Sequence, residues 1–299
     1  MESRSAFIAI VGRPNVGKSS LLNTLVGRKV AIVSDKPQTT RNRIMGIVTK
    51  DELQLVFLDT PGAHRPRTRL GDFMIKSISE AVSGVDAGVL VVEPTAEVRD
   101  IERDLLKQFR SQKLPVVLVI NKIDTVEDKA KLLTCIAAWQ AEGEFAAVVP
   151  VSALTGEGAD ELVTELENFA FESPHFFPDD AVSDQPEKVM AAELLREQML
   201  LCLRDEIPHG IAVVVESLTE RETEKGTILD IDANIFCERD SHKGMIIGKK
   251  GAMLKKIAGN ARVQMETAFG AKVNLQCWIK VKEDWRNRQG LLGGFGYRM

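Results

Sequence analysis

Cysteine is scarce in this sequence and never closely spaced. The 299 residues contain four cysteines, Cys135, Cys202, Cys237 and Cys277, and no CxxC pair. This spacing excludes the common zinc-binding patterns and gives no framework for disulfides. We therefore expect reduced thiols in the protein core, which are typical of a cytoplasmic protein.

Long apolar runs are missing as well. No segment approaches the roughly 18 uninterrupted apolar residues that a membrane-spanning helix needs. The polar start, Met1–Ser5, leads directly into the strand-like FIAIVG, which predicts the absence of a signal peptide. With 44% hydrophobic and 27% charged residues, the composition is that of a globular protein with two domains or one large one.

A small net negative charge conceals a basic segment. The formal net charge is −4, yet residues 239–288 contain twelve Lys or Arg and only four Asp or Glu, a local charge of +8. A basic C-terminal surface on an otherwise acidic protein favours a polyanionic partner for that end of the chain. A solvated basic face without a partner is the alternative that charge alone leaves open.

Apolar runs of strand length recur through the first half of the sequence. Longer amphipathic stretches such as GDFMIKSISEAV and DIERDLLKQFRSQ separate them. This alternation predicts βαβ units, and hence an α/β domain with a mostly parallel sheet covered on both faces. The predicted strands are FIAIV (7–11), LQLVFL (53–58), AGVLVV (87–92), PVVLVI (115–120) and AAVVPV (146–151).

A change of pattern predicts a second domain. The segment 172–188 contains three prolines and several acids, as linkers do. Beyond it, the periodicity predicts a small α+β domain with the order α-β-β-α-α-β. Its first helix is predicted over 189–207, ending at Pro208, and its strands over 211–218, 228–238 and 272–282. The predicted divisions are a domain at 1–172, a linker at 173–187, and a second domain with a C-terminal tail at 188–299.

The segment GRPNVGKS, residues 12–19, matches the phosphate-binding pattern GxxxxGK[ST]. It follows the strand FIAIV and precedes a helix, which is the context that the motif requires. Backbone N–H groups of such a loop surround phosphates, and the helix N-terminus adds partial positive charge. Lys18 is then expected to reach the β and γ oxygens, and the Ser19 hydroxyl to bind Mg²⁺. The alternative is a chance glycine-rich turn.

A second polar motif predicts the base. NKID (121–124) follows the strand PVVLVI and resembles the guanine-specificity element of GTPases, and VSAL (151–154) resembles its partner. The Asp124 carboxylate can accept hydrogen bonds from the N1–H and 2-amino groups of guanine, a donor pair that adenine lacks. The Ser152–Ala153 backbone would donate to the guanine carbonyl.

Two segments between these motifs match the nucleotide-sensing parts of GTPases. DTPG (59–62) would hold Mg²⁺ through the Asp59 carboxylate, and the Gly62 N–H would sense the γ-phosphate. PQTTRNR (37–43) fits the first switch, in which one threonine closes on Mg²⁺. The spacing favours Thr40 over Thr39.

The glutamine that orients the attacking water in many GTPases is absent. Ala63 and His64 follow Gly62 instead. His64 is a candidate substitute, although a histidine on a mobile loop is more often a surface residue. In GTPases that resemble this chain, an asparagine at the position of Asn15 helps to seat K⁺ against the phosphates. Slow intrinsic turnover is expected.

The basic segment contains IIGKKG (246–251), which resembles the GxxG loop of KH domains. Two glycines allow a nucleic-acid backbone to approach the main chain, and the helix that follows directs its N-terminus at a phosphate. The order α-β-β-α-α-β matches the type II KH topology. A structural glycine turn is the alternative. Trp278 and Trp285 are candidates for base stacking, but a tryptophan within a strand, as Trp278 is, lies more often in the core.

Taken in order, these motifs resemble the Era family of bacterial ribosome-assembly GTPases over nearly the whole chain. The HFFPDDAVSDQP linker, CERDSHKGMIIGKKGAMLKKIA and KVKEDWRN add to the resemblance. It implies a GTP- and GDP-binding, Mg²⁺-dependent switch that binds the 3′ region of 16S ribosomal RNA and acts late in 30S subunit assembly. It also implies peripheral association with the cytoplasmic membrane, for which the sequence offers no amphipathic anchor. A monomer is expected.

The resemblance also assigns residues. Those assigned to the nucleotide are Gly12, Asn15, Val16, Gly17, Lys18, Ser19, Ser20, Asp59, Thr60, Pro61, Gly62, Asn121, Lys122, Asp124, Ser152 and Ala153. Those assigned to catalysis are Lys18, Thr40 and Gly62, and those assigned to Mg²⁺ are Ser19, Thr40 and Asp59. Those assigned to RNA are Ile247, Gly248, Lys249, Lys250, Gly251 and Lys255.

Three other functions compete with this interpretation. Asp124 disfavours an ATP-using P-loop enzyme, because adenine lacks the pair of N–H donors from which the carboxylate would accept hydrogen bonds. An RNA-binding scaffold with a vestigial nucleotide site would show no hydrolysis even with RNA and K⁺ present. A membrane-surface GTPase that does not depend on RNA would tolerate changes in the GKKG loop.

Overall fold

The computed structural model describes residues 3–224 and 226–297. The start of the predicted first domain, at residue 1, and the end of the predicted second domain, at residue 299, therefore lie outside the described residues. The chain divides into two compact units. The first contains the described residues up to Pro66 together with Met74–Asp184, and the second contains Arg67–Phe73 and the described residues from Gln185 onward. Within these ranges, no helix has the length and apolar character that a membrane crossing requires.

A mixed sheet of seven strands forms the centre of the first unit, in the order β2-β3-β1-β4-β5-β6, with β7 paired to β1. The parallel pairs are β1 with β3 and β4, β4 with β5, and β5 with β6. The predicted α/β fold with a mostly parallel sheet is confirmed. The strands are β1 Arg4–Val11, β2 Ile44–Lys50, β3 Leu53–Asp59, β4 Ala87–Val92, β5 Val116–Ile120, β6 Ala147–Pro150 and β7 Phe171–Glu172.

Five helices accompany this sheet over residues 3–184. They are α1 Lys18–Val26, α2 Arg69–Val82, α3 Asp100–Ser111, α4 Lys129–Glu142 and α5 Ala159–Glu167. Successive residues of β1 alternate between the two faces of the sheet, so that Ile8 and Ile10 join one apolar cluster and Ala9 and Val11 join another. Because both faces are buried, the strands read as continuous apolar runs.

Strand β2 is absent from the predicted strands. It pairs antiparallel with β3, from Ile44 opposite Asp59 to Lys50 opposite Leu53. It forms the end of the sheet and begins directly after the PQTTRNR segment, where the polar switch residues obscure its short apolar pattern. Two turn residues, Asp51 and Glu52, join β2 to β3.

The linker lies against the first unit. The Ile47 N–H of β2 donates to the Val182 carbonyl over 3.0 Å, and the Ser183 hydroxyl donates to the Met45 carbonyl over 2.8 Å. The linker therefore pairs with the otherwise open edge of β2, which covers hydrogen-bonding groups that would attract another strand.

A single buried glutamine secures the start of the linker. The Gln54 side chain accepts hydrogen bonds from the Phe176 and Phe177 N–H groups over 2.8 and 3.0 Å, and donates to the Phe177 carbonyl over 2.9 Å. The Phe176 ring packs against Phe7 with a centroid distance of 5.0 Å. A linker composition thus coexists with a fixed path over the first unit.

The second unit has a three-stranded sheet in the order β10-β9-β8, antiparallel between β8 and β9 and parallel between β9 and β10. The predicted order α-β-β-α-α-β is confirmed. Its elements are α6 Glu187–Cys202, β8 Ala212–Thr223, β9 Gly226–Cys237, α7 Asp240–Ile247, α8 Ala252–Phe269, β10 Lys272–Val281 and α9 Gln289–Gly294.

Two details of the second unit differ from expectation. Helix α6 ends at Cys202, well before Pro208, because Leu203 is extended and Asp205 takes a positive φ of 55°. Trp278 is 58% exposed, since the inward residues of β10 are the alternate ones, whereas Trp285 is fully buried and donates its indole N–H to the Gly210 carbonyl over 2.9 Å. The expectation of a core position for Trp278 was therefore wrong.

We expect the Gln54→Leu substitution to loosen the linker and to lower the free energy of unfolding by about 1–3 kcal/mol, because part-buried backbone groups of Phe176 and Phe177 lose their hydrogen-bond partners. Urea unfolding followed by circular dichroism measures the loss, and limited proteolysis within residues 174–183 reports on the linker directly. Gln140→Leu, on the exposed side of α4, is the matched control. Equal unfolding midpoints and cleavage rates for both variants would contradict the assignment.

Candidate functional site

A cavity of about 350 Å³ opens in the first unit, where the phosphate loop meets the residues that precede β2. All of its lining is polar or small except for a few aliphatic side chains. The lining residues are Pro14, Asn15, Gly17, Lys18, Ser19, Ser20, Ile32, Val33, Ser34, Asp35, Gln38, Thr39, Thr40, Gly62 and Lys122. No recognisable motif marks the stretch from Ile32 to Asp35, so its place in the lining could not be predicted from the sequence.

The phosphate loop has a backbone that only small residues fit. Gly17 has a φ of +95°, and a Cβ added there would lie 2.2 Å from the Asn121 amide nitrogen. A Cβ at Gly12 would lie 2.4 Å from the Val91 carbonyl oxygen. The two glycines of the motif are thus required by close packing as well as by the path of the loop. Helix α1 begins at Lys18, directly after Gly17, and its first residues Lys18, Ser19 and Ser20 line the cavity.

Lys18 is buried, and its hydrogen-bond acceptors among the described residues are carbonyls of the phosphate loop. Its ammonium donates to the Gly12 carbonyl over 3.0 Å and to the Arg13 carbonyl over 2.8 Å. Burial lowers the pKa of Lys18 to about 8, an effect that Asp59 partly opposes and Arg13 reinforces. An anion placed in the cavity, such as a phosphate, would stabilise the charged form and raise this pKa again.

Three oxygen donors converge beside Lys18. The Ser19 hydroxyl donates to Asp59 Oδ2 over 2.6 Å and lies 2.8 Å from Thr40 Oγ1. Burial raises the pKa of Asp59 to about 6, against the opposing effect of Lys18. Asp59 Oδ1 is buried and has no hydrogen-bond partner among the described residues. Two hydroxyls and an under-coordinated carboxylate are the hard oxygen ligands that Mg²⁺ prefers, so the residues fit that ion.

The two threonines of the first switch have different surroundings. Thr40 is 6% exposed and reaches Ser19, as the spacing favours. The Thr39 hydroxyl instead donates to the Lys36 carbonyl over 2.6 Å and lies 2.6 Å from the Ser34 hydroxyl. The geometry thus places Thr40, and not Thr39, beside the candidate Mg²⁺ ligands.

The NKID and VSAL segments meet through the Asn121 side chain. Its amide donates to the Val16 carbonyl over 2.8 Å and its oxygen accepts from the Ala153 N–H over 2.9 Å. Asp124 Oδ1 accepts from the Ser152 hydroxyl over 2.6 Å, which orients the carboxylate. Asp124 itself is exposed, so a base must cover it before its charge becomes selective.

The DTPG segment contacts the phosphate loop closely. A Cβ at Gly62 would lie 2.7 Å from Pro14 Cα, and the Ala63 N–H donates to the Gly12 carbonyl over 3.0 Å. The Thr60 hydroxyl donates to the Ile10 carbonyl over 2.9 Å, and Pro61 is buried beside it. These two residues therefore act through the backbone path, which brings Gly62 to the cavity.

The two residues after Gly62 differ in their surroundings. The Ala63 methyl is 4% exposed, and His64 Nδ1 lies 2.9 Å from the Gly62 carbonyl. Asn15 has a φ of 65°, and its amide nitrogen donates to the Asp35 carbonyl over 2.6 Å. The Asn15 amide and the Asp35 carbonyl carry oxygens of the kind that K⁺ binds.

The GKKG turn in the second unit is open to solvent. Lys249 and Lys250 are exposed, as is Lys255 in the helix that follows, while Ile247 is half-buried. Gly248 and Gly251 have φ values of 71° and 80°, and a Cβ at Gly251 would meet nothing within 4 Å. Helix α8, of 18 residues, starts directly after the turn. An anionic backbone could therefore approach both the turn and the helix N-terminus.

Three charged residues near the nucleotide loops carry no sequence signal that would predict a role at the site. Arg13 lies within the phosphate-loop motif at a position that the motif leaves unspecified, and Glu93 and Glu102 lie outside every motif. Arg13 is 89 residues from Glu102 in sequence, yet its Nε donates to Glu102 Oε1 over 2.6 Å. Only their position at the same edge of the sheet unites them.

Comparison with known proteins matches both parts of the chain to known families. A family of 50S ribosome-binding GTPases matches residues 7–122, and the KH domain family matches residues 206–286. The first match contains the phosphate loop, the switch segments and the start of NKID. The second contains the GKKG turn with the helices and strands around it.

Whole-chain relatives match over nearly the full length. GTPase Era of Clostridioides difficile (strain 630) is 49% identical over 294 residues, 98% of each protein. GTPase Era of Ruminiclostridium cellulolyticum is 46% identical over 298 residues, covering 100% of this chain and 99% of that protein. A solved structure of Era with MgGDPNP and nucleotides 1506–1542 of 16S ribosomal RNA is 36% identical, with a TM-score of 0.94 and coverage of 99% and 100%. This chain belongs to the Era family of GTPases.

Proposed function

We propose that the protein is a GTP-binding and GTP-hydrolysing switch that binds the 3′ region of 16S ribosomal RNA and assists late assembly of the 30S subunit. One observation carries the proposal: a single chain combines a cavity framed by guanine-nucleotide motifs with an exposed GKKG turn at the start of a long helix. The solved Era structure, which holds MgGDPNP and a 16S segment, supports the same pairing. Residues 1–172 would form the GTPase domain, 173–187 the linker, and 188–299 the RNA-binding domain.

In this proposal Lys18 and the N–H groups of the phosphate loop bind the β- and γ-phosphates. Ser19, Thr40 and Asp59 would hold Mg²⁺, which supplies positive charge against the phosphate oxygens. Thr40 and Gly62 belong to two loops that contact with the γ-phosphate would order. Hydrolysis would then release both loops. RNA affinity would then depend on which nucleotide is bound, because a ligand shifts an equilibrium only through differential affinity.

Slow turnover follows from the residues around the γ-phosphate position. Ala63 offers no polar group in place of the glutamine of other GTPases, and its methyl is buried. A K⁺ ion at Asn15 would supply charge that an arginine supplies elsewhere. We also propose a monomer that works in the cytoplasm and associates with the cytoplasmic face of the membrane only peripherally. The family resemblance alone supports these last features.

Asp124→Asn should exchange the preferred base. The amide loses the acceptor pair for guanine but can donate to the 2-oxo group of xanthine, so we expect affinity for GTP to fall by about 100-fold or more while affinity for xanthosine triphosphate rises. Competition of each nucleotide against a fluorescent nucleotide measures the change. Glu127→Gln, three residues along and also exposed, is the control. An unchanged order of preference would exclude guanine selection by Asp124.

Gly251→Asp should abolish RNA binding while GTP binding persists. The substitution strains a φ of +80° and places a negative charge where a phosphate would approach. We expect at least about tenfold weaker binding of an oligonucleotide with 16S nucleotides 1506–1542, measured by fluorescence anisotropy at fixed salt.

Gly270→Asp is the matched control for this experiment. It has a φ of +67° and equally open surroundings at the other end of α8. Comparable loss of RNA binding in both variants would attribute the effect to strain instead of the GKKG turn. Equal RNA affinity of the wild type with a GTP analogue and with GDP would refute the switch.

Hydrolysis should be faster in KCl than in NaCl at equal ionic strength. Asn15→Ala should make the rates in the two salts equal, because the amide that would seat K⁺ is gone. Phosphate release under multiple turnover, with and without RNA, measures both. A wild-type protein that hydrolyses no GTP even with RNA and K⁺ would be the scaffold with a vestigial site.

A further inference from the structure

Glu93 joins two cationic side chains from different nucleotide loops. It directly follows β4 at the carboxyl edge of the sheet. Its Oε1 lies 2.6 Å from Lys122 Nζ of the NKID segment, and its Oε2 lies 3.5 Å from Arg13 Nη2 of the phosphate loop. No function assigned above uses this carboxylate.

Arg13 is a fixed partner in this arrangement. Its side chain is 11% exposed, and its Nε donates to Glu102 Oε1 over 2.6 Å. Glu102 is fully buried and its Oε2 accepts from the Arg99 N–H over 2.8 Å, at the start of α3. The buried Glu102 carboxylate accepts these two hydrogen bonds, which fix its position and that of the Arg13 guanidinium. Glu93 therefore meets a guanidinium whose position the fold has already set.

Lys122 is the adjustable partner. Its backbone takes the left-handed conformation, with a φ of 66°, and its side chain lines the nucleotide cavity. A lysine side chain has about 2 kcal/mol of rotamer entropy to lose when it is ordered. The Glu93 contact fixes the ammonium at the far end, so that the aliphatic part is ordered before a nucleotide arrives. Ordering in advance strengthens binding by reducing what remains to be ordered.

The exposure of the two side chains indicates the role of the Glu93–Lys122 contact. Both the Glu93 and the Lys122 side chains are 37% exposed, and ion pairs at such positions contribute little to the stability of a fold. A role in folding is therefore a poor explanation for a carboxylate that reaches two separate loops. The contact instead orders the Lys122 side chain at the rim of the nucleotide cavity.

We propose that Glu93 is a positioning residue for guanine-nucleotide binding: it holds Lys122 beside the base-binding end of the cavity and links that residue, through Arg13, to the phosphate loop. The inference rests on the proposed GTP-binding function. Glu93 contacts neither the candidate Mg²⁺ ligands nor Gly62, so its contribution to the affinity should be the same for GTP and for GDP. Its removal affects nucleotide retention and not the hydrolytic step.

Release of mant-GDP and of a mant-labelled non-hydrolysable GTP analogue tests the proposal. Glu93→Gln should speed release of both nucleotides by about two- to fivefold, with kcat at saturating GTP unchanged and KM raised. The ratio of variant to wild-type rates should fall towards one as NaCl is increased, because salt screens the Glu93–Lys122 pair in the wild type. Glu97→Gln makes the same charge change at an exposed site that pairs with Arg99, and should leave release unchanged.

A double-mutant cycle distinguishes positioning from a structural role. In a Lys122→Met background, Glu93→Gln should have no further effect on release, because its partner is absent. An effect of undiminished size in that background, an effect confined to GTP, or unchanged release by Glu93→Gln would each overturn the proposal. Failure of the wild type to bind either guanine nucleotide would instead overturn the proposed function.

Discussion

One buried amide holds the nucleotide site together. Asn121 is 1% exposed, donates to the phosphate loop at Val16 and accepts from the Ala153 N–H. These two bonds connect three segments that are far apart in sequence, and Gly17 must lack a Cβ for the amide to come so close. If the amide were displaced, buried backbone groups on both sides would lose their partners. The position of the phosphate loop relative to the base-recognition loops therefore depends on this contact.

The two buried charges within that frame, Lys18 and Asp59, lie in surroundings that disfavour them. Burial lowers the pKa of Lys18 and raises that of Asp59, so each group is held in surroundings that disfavour its charge. A phosphate beside Lys18 and a cation beside Asp59 supply what each lacks. These groups are thus in place before a nucleotide binds, because the cost of bringing them together was met during folding.

The second site uses a different principle. The turn Gly248–Gly251 has no buried charge, and it presents two exposed lysines and the start of α8. Such a surface attracts a polyanion without enclosing it, in keeping with recognition of a flexible single strand. The first unit selects a small ligand by enclosure, whereas the second offers an open surface whose affinity is set by charge and by access.

The sequence by itself determined the fold class, the order α-β-β-α-α-β of the second unit and the motif residues that line the cavity, because periodicity and glycine spacing are local properties of the chain. It did not reveal β2, whose short apolar pattern is hidden beside polar switch residues, or the early end of α6 at Cys202. Which face of β10 is buried, and hence the exposure of Trp278, depends on the helices that pack against the sheet. Glu93 and Gln54 acquired their partners only through tertiary structure, because those partners lie tens of residues away and no local pattern records that distance.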